Sequence, residues 1–184
     1  MGKKFEFISS EQQEWILNQK IFFVATAPLS ADGHINLSPK GLDSFRVLTP
    51  TTVVYQDLTG SGVETIAHIN ENKRIVIMFC AFDGPPKILR LYGKGEVILP
   101  DDVRFEEMGK YFPMRINARA YIVSHLNLIQ DSCGYAVPIY DFVTERDILT
   151  KWSENKGKAG VLAYQQNKNV FSIDGLNGLK PIKD

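Results

Sequence analysis

The chain has 184 residues, 44% of them hydrophobic and 23% charged, which is the composition of a folded domain and excludes a disordered one. Twenty-one basic residues balance 21 acidic ones, so no broad electrostatic pull toward nucleic acid or an anionic membrane is expected. Two cysteines, Cys80 and Cys133, are too few for a secreted disulfide framework and are expected to be reduced.

In chain order, residues 1–6 place no apolar run after their lysines, so no signal peptide is expected, and no later stretch reaches the roughly 20 apolar residues of a membrane span. A cytoplasmic protein is the expectation. Ser10-Glu11-Gln12-Gln13 has the form of a capping box and predicts a helix near 10–19. Ile21–Thr26 reads as a strand, Ser30–Gly33 as a hairpin turn, and His34–Ser38 as the return strand. Phe45–Leu48 and Thr52–Tyr55 form another pair turned at Thr49-Pro50. Asp57-Leu58-Thr59-Gly60-Ser61-Gly62 then leads into a helix whose apolar face is Val63, Ile66, Ala67 and Ile69, ending at Asn72 and Lys73. Arg74–Cys80 is a nearly continuous apolar run that suits a strand buried on both faces. Ile88–Val97 is a long strand whose Gly93 and Gly95 predict a bend or bulge. A helix is expected from about Asp101 to Tyr111 and a last main strand over Ala120–Ile129.

Six or seven strands with short connections and two inserted helices predict a mainly β fold, an antiparallel barrel with helices, over residues 1–130. Residues 131–184 change character. Glu145–Trp152 is helical, Lys156–Gly160 breaks it, a second short helix or strand covers 161–165, and a glycine-rich tail follows at Ser172–Gly178. This part reads as a C-terminal helical extension packed on the barrel.

Asp57–Thr65 is the segment most informative about chemistry. A strand ending in Gly-Ser-Gly before a helix presents backbone N–H groups and the positive end of a helix dipole, which suits a phosphate. The competing reading is a plain glycine loop with Ser61 as helix cap. It is not a P-loop, because no Lys-Ser or Lys-Thr follows the second glycine. Lys40, in Ser38-Pro39-Lys40-Gly41, is either an exposed turn lysine or a cation beside that pocket. Arg90 interrupts an apolar strand and needs a partner, either a carboxylate such as Glu96 or Asp57 or a ligand phosphate. His34 adjoins a turn, His68 is expected on the polar side of the central helix, and no histidine pair has metal-ligand spacing. Cys80 reads as core packing, and Cys133 has no cationic neighbour in sequence to activate it.

The order of Phe22–Thr26, Asn36–Gly41, Phe45–Leu48, Asn72–Phe79 and Leu89–Gly95 resembles the pyridoxamine 5′-phosphate oxidase-like proteins, the FMN-binding split β-barrels, over roughly residues 10–130. The resemblance implies a split barrel, a homodimer, and FMN in a cleft between the subunits. It implies cofactor-binding roles for Ser38, Lys40, Gly60, Ser61, Gly62, Thr65 and Arg90. It implies an oxidoreductase acting on a small-molecule substrate, with the ring face beneath the 131–143 loop and the Trp152 helix. The chain departs from the family's namesake oxidase at Val63-Glu64-Thr65, where that enzyme carries a Ser-Arg-Lys-type cluster, and the namesake's C-terminal substrate motif is not evident. Two alternatives stand beside this reading: a non-catalytic protein that uses the same cleft for a flavin or haem, and a structural dimer with a decayed cofactor site, which Glu64 supports best.

Overall fold

Most apolar runs of the chain are absorbed by a single antiparallel sheet. In this computed structural model, which describes residues 2–180, the strands are β1 (Lys4–Phe5), β2 (Phe22–Thr26), β3 (Asn36–Lys40), β4 (Phe45–Thr49), β5 (Thr52–Leu58), β6 (Arg74–Cys80), β7 (Ile88–Ile98) and β8 (Ala118–Ser132). Their order is β3-β2-β6-β7-β8-β5-β4, with β1 added to β8. The two ends of that order, β3 and β4, do not pair with each other among the described residues. The barrel is therefore split and not closed. β8, 15 residues long, is its spine and pairs with β1, β5 and β7.

Alternation along the strands decides what faces inward. In β2 the buried residues are Phe22, Val24 and Thr26. Phe22 meets Phe45, Tyr55 and Phe79 with ring centroids 5.2, 5.6 and 5.7 Å apart, and each such pair adds about 0.5–1.5 kcal/mol to the burial itself. The central helix, α2 (Glu64–Asn72), sends Val63, Ile66 and Ile69 into the same core. Its seat against β7 depends on Gly95, where a Cβ would lie 2.8 Å from Ile69 Cδ1. The long strand also carries the expected irregularity: the β7–β8 register shifts between Tyr92 and Gly93.

Several boundaries differ from the sequence reading. The first helix, α1 (Ser10–Asn18), is capped one residue earlier than expected, because Ser9 is extended and accepts from Gln12 while the Gln12 side chain accepts in return. β3 begins at Asn36 and not at His34, whose backbone N–H is taken by Asp174 Oδ2 at 2.8 Å. The helix expected over 101–111 shrinks to α3 (Phe105–Gly109), since Asp102 accepts from the Arg104 N–H and holds the preceding segment as a turn. Phe105 and Met108 close a second, smaller core around Val54, Ile98, Phe112, Tyr121 and Val123.

Among its described residues the extension contains one helical element, α4 (Ile148–Lys168), broken inside the expected 156–160 segment. Gly157 adopts φ 64°, ψ 169°, a conformation costly for any side chain, and splits α4 into two helices. Past Asn169 a short turn bridges Phe171 to Asn177, and Leu179 enters the main core. No helix among the described residues is long and apolar enough to cross a membrane.

Candidate functional site

β5 ends on a carboxylate with no access to water. Asp57 is 0% exposed and accepts from Arg119 Nε at 2.7 Å and from Lys40 Nζ at 2.9 Å. The β5–β8 register brings Arg119 there, and the end of β3 brings Lys40. Burial pushes the Asp57 carboxyl up, but the charges and hydrogen bonds of Arg119 and Lys40 outweigh it and hold the carboxyl down at about 2. With two cations on one anion, the cluster keeps one positive charge in excess.

The loop after β5 is pinned from three sides. Arg119 Nη1 donates to the Gly62 carbonyl at 2.8 Å. Thr59 donates through both N–H and hydroxyl to the Asn117 carbonyl, and its hydroxyl accepts from Gln165 Nε2 at 2.8 Å. Asn169 Nδ2 donates to the Gly60 carbonyl at 3.0 Å, while its Oδ1 is buried without a partner. The loop's carbonyls are thus turned toward the protein. α2 starts on Val63 with no side-chain cap, so Ser61, exposed at the loop tip, is not the helix cap that one reading made it. An uncapped helix start beside an excess positive charge is a place an anion prefers.

Ser38 and Thr65 meet one layer further in. Ser38 Oγ donates to Asn36 Oδ1 at 2.8 Å, and Asn36 Nδ2 donates to Thr65 Oγ1 at 3.0 Å and Thr26 Oγ1 at 3.2 Å. Thr26 also bonds His68 Nδ1 at 3.0 Å. His68 is therefore not on a polar helix face. It is fully buried, and burial lowers its pKa.

Arg90 stands apart. Met78 lies across from Arg90, Phe23 across from Met78, and Pro39 across from Phe23, so Arg90 and Lys40 project from opposite faces of the sheet. The partner of Arg90 is the Ser132 hydroxyl at 2.9 Å. Neither carboxylate considered for it is used, because Glu96 pairs with Arg104 and Asp57 with Arg119 and Lys40. Glu64 folds back, its carboxylate packed against Gly62 and accepting from the Ile173 N–H at 3.3 Å.

A cleft of about 970 Å³ opens between these strand ends and the extension. Lys40 and Gly60 line it from the barrel, while Phe142, Trp152 and Tyr164 line it from the other side. Of the seven residues expected at a cofactor site, two line the cleft. Ser38 and Thr65 are buttressed beside it, Ser61 and Gly62 form the loop tip, and Arg90 is on the far face. Arg119, Asn169 and Gln165 were not anticipated. Arg119 carries the signal that drew attention to Arg90, a cation in an apolar strand. Among the described residues no group of three or more His, Cys, Asp or Glu side chains is placed to hold a metal. Cys80 is buried with its thiol pKa raised by burial, and Cys133 is exposed.

A family model described as pyridoxamine 5′-phosphate oxidase matches residues 8–132. A protein of Aspergillus flavus, named pyridoxamine 5′-phosphate oxidase family protein ustO, is 41% identical over 192 residues, which span 95% of this chain and 77% of its own. Among solved structures, a variant of HupZ from Group A Streptococcus is similar with a TM-score of 0.56 and 26% identity, over 68% of this chain and 99% of that one. A candidate pyridoxamine 5′-phosphate oxidase from Lactobacillus delbrueckii shares the fold at a TM-score of 0.52 and 19% identity, over 68% and 94% of the two chains. The family model stops short of α4, whereas the fungal relative covers nearly the whole chain.

Proposed function

The chain belongs to the pyridoxamine 5′-phosphate oxidase family, and from that premise we propose that it binds FMN and serves as an FMN-dependent oxidoreductase acting on a small molecule. In this reading it is a cytoplasmic homodimer with the cofactor cleft at the subunit interface. Residues 1–130 form the flavin-binding barrel and 131–184 the extension that packs on it. The observation that carries the reading is the uncapped start of α2 beside a buried cluster with one excess positive charge.

The residues present suit such a group. The phosphate would meet the backbone N–H groups at the start of α2, the Ser61 hydroxyl and the Lys40 ammonium, and the open space at Gly60 lets it approach the backbone. When bound, FMN supplies the electron-transfer chemistry, and the chain supplies binding, orientation and exclusion of water.

Purified protein is expected to be yellow, with flavin absorbance that stays with it through gel filtration. Colourless protein that takes up no added FMN refutes the reading. Lys40→Ala and Ser61→Ala each remove one contact to the phosphate and are expected to weaken retention about tenfold, a loss of about 1.4 kcal/mol. Unchanged affinity in both puts the phosphate elsewhere.

One observation favours a second reading. The Glu64 carboxylate lies against Gly62, where an incoming phosphate would meet it. A structural dimer with a decayed site accounts for an acidic side chain there, and a chain that binds flavin or haem without turnover is the remaining alternative. Anaerobic mixing with NADH or NADPH separates these: bleaching of the bound flavin supports the oxidoreductase, and failure with every donor supports the carrier.

A further inference from the structure

We propose that the end of the cleft walled by Trp152 and Tyr164 is a subsite for an uncharged, planar aromatic molecule, built by the broken helix α4. The inference rests on the flavin reading only for the role of that molecule, which is then the substrate.

The first ground is the origin of the aromatic wall. Trp152 and Tyr164 are 12 residues apart, and a straight α-helix would hold them about 18 Å apart along its axis. Their ring centroids are instead 5.0 Å apart with planes at 81°. The break at Gly157 folds the second half of α4 back on the first and makes this contact. Both rings line the cleft and remain partly exposed, so their packing against each other leaves some aromatic surface over. Two rings at a right angle present one face and one edge, the corner into which a third ring fits. Lys156 Nζ lies 5.4 Å from the Trp152 centroid and 5.9 Å from that of Tyr164, so one cation holds both rings in place.

The second ground is the chemistry around the corner. Ile148 and Leu149 lie one helical turn before Trp152 and line the same cleft, and Ile148 is 67% exposed. Apolar surface held open to water inside a cleft marks a ligand site. The charged residues of the lining, Lys20, Lys40 and Arg146 against Asp83, Asp141 and Glu145, are three of each sign. Lys40, with the one positive charge its cluster keeps in excess, belongs to the barrel end of the cleft. The lining residues taken together thus carry no net charge that would select a charged ligand. The volume of about 970 Å³ lies at the top of the range for small-molecule sites, roughly 300–1,000 Å³, and exceeds what a phosphate end needs.

The chain has two tryptophans, so Trp15→Phe leaves Trp152 as the single emitter. Titration of that protein with 2-naphthol is expected to quench Trp152 saturably, and cyclohexanol is expected to bind at least tenfold more weakly. Tyr164→Ala is expected to weaken 2-naphthol binding about tenfold and the surface change Ile148→Ser about threefold. The latter keeps the test decisive if the former unfolds. Absence of saturable quenching, or equal affinity in the Ile148→Ser protein, overturns the proposal. Flavin retention read on the same samples keeps the two readings apart. Lys40→Ala is expected to weaken FMN retention and to leave 2-naphthol binding unchanged. A protein that takes no FMN yet binds 2-naphthol leaves this subsite standing without the flavin. One that holds FMN and ignores 2-naphthol removes the subsite alone.

Discussion

Asp57 shows how one buried charge can organise a loop. It is tolerable in the core only because Arg119 and Lys40 compensate it, and the same two bonds fix where those cations point. Asp57→Asn leaves Lys40 and Arg119 facing each other with their mutual repulsion uncompensated. The expected cost is about 3 kcal/mol, a fall in melting temperature of roughly 6–12 °C for a chain of this size. The carboxyl, held at about 2 in the fold, has an ordinary value near 3.9 when unfolded. Its contribution, on the order of 2 kcal/mol, is therefore complete above about pH 4 and lost as pH falls from 4 toward 2. Urea midpoints measured from pH 6 down to pH 2 are expected to drop less steeply for the Asp57→Asn protein than for the parent. Parallel curves would mean that the carboxylate is not held by its partners. Arg119→Lys is a milder probe. A lysine reaches Asp57 or the Gly62 carbonyl but does not span both as the guanidinium does. Flavin retention is expected to fall several-fold in that variant with little change in melting temperature.

At the scale of elements, α4 depends on a single backbone conformation. Gly157→Ala forces a side chain into φ near +64°, which costs roughly 1–2 kcal/mol. The expected results are a fall of about 2–8 °C in melting temperature and a weaker near-ultraviolet circular dichroism signal as the Trp152–Tyr164 contact loosens. An unchanged spectrum would show that the break does not need glycine. This break was legible in the sequence because glycines at 157 and 160 interrupt an otherwise helical pattern. α2 and β6 were legible for the related reason that their periodicity and apolar runs are long. β1, two residues long, carries no period at all. α3 and β3 were misplaced because side chains, Asp102 and Asp174, took the backbone donors that the local pattern had assigned to helix or strand. The site divides in the same way. Gly60, Ser61 and Lys40 announce themselves by local turn chemistry. Arg119 reaches Asp57 across 62 positions, through a β5–β8 register that shifts between Asp57 and Leu58. No local pattern encodes that pairing, and none tells which of Arg90 and Arg119 faces inward.

At the scale of the whole molecule, the exposed apolar surface supports the proposed homodimer. Tyr135, Ile139 and Val143 are 82%, 77% and 88% exposed on a segment with neither helix nor strand, and Ile35 and Leu37 are exposed at the β3 edge. A monomer seldom leaves so many large apolar side chains in water along one segment. A formal net charge of zero does nothing to keep copies apart. The chain is expected to elute at twice its 20.7 kDa mass, with a melting temperature that rises with protein concentration as mass action requires. Ile139→Asp combined with Val143→Asp places two charges where the partner's apolar surface would lie and is expected to yield monomer. The two positions are exposed, so the fold itself has little to lose. Because the cofactor cleft is proposed at the subunit interface, the same double variant is expected to release FMN at dilutions where the parent retains it. A parent chain that is monomeric at every concentration, yet holds FMN fully, would confine the cofactor to one protomer and place it in the cleft between Lys40 and α4.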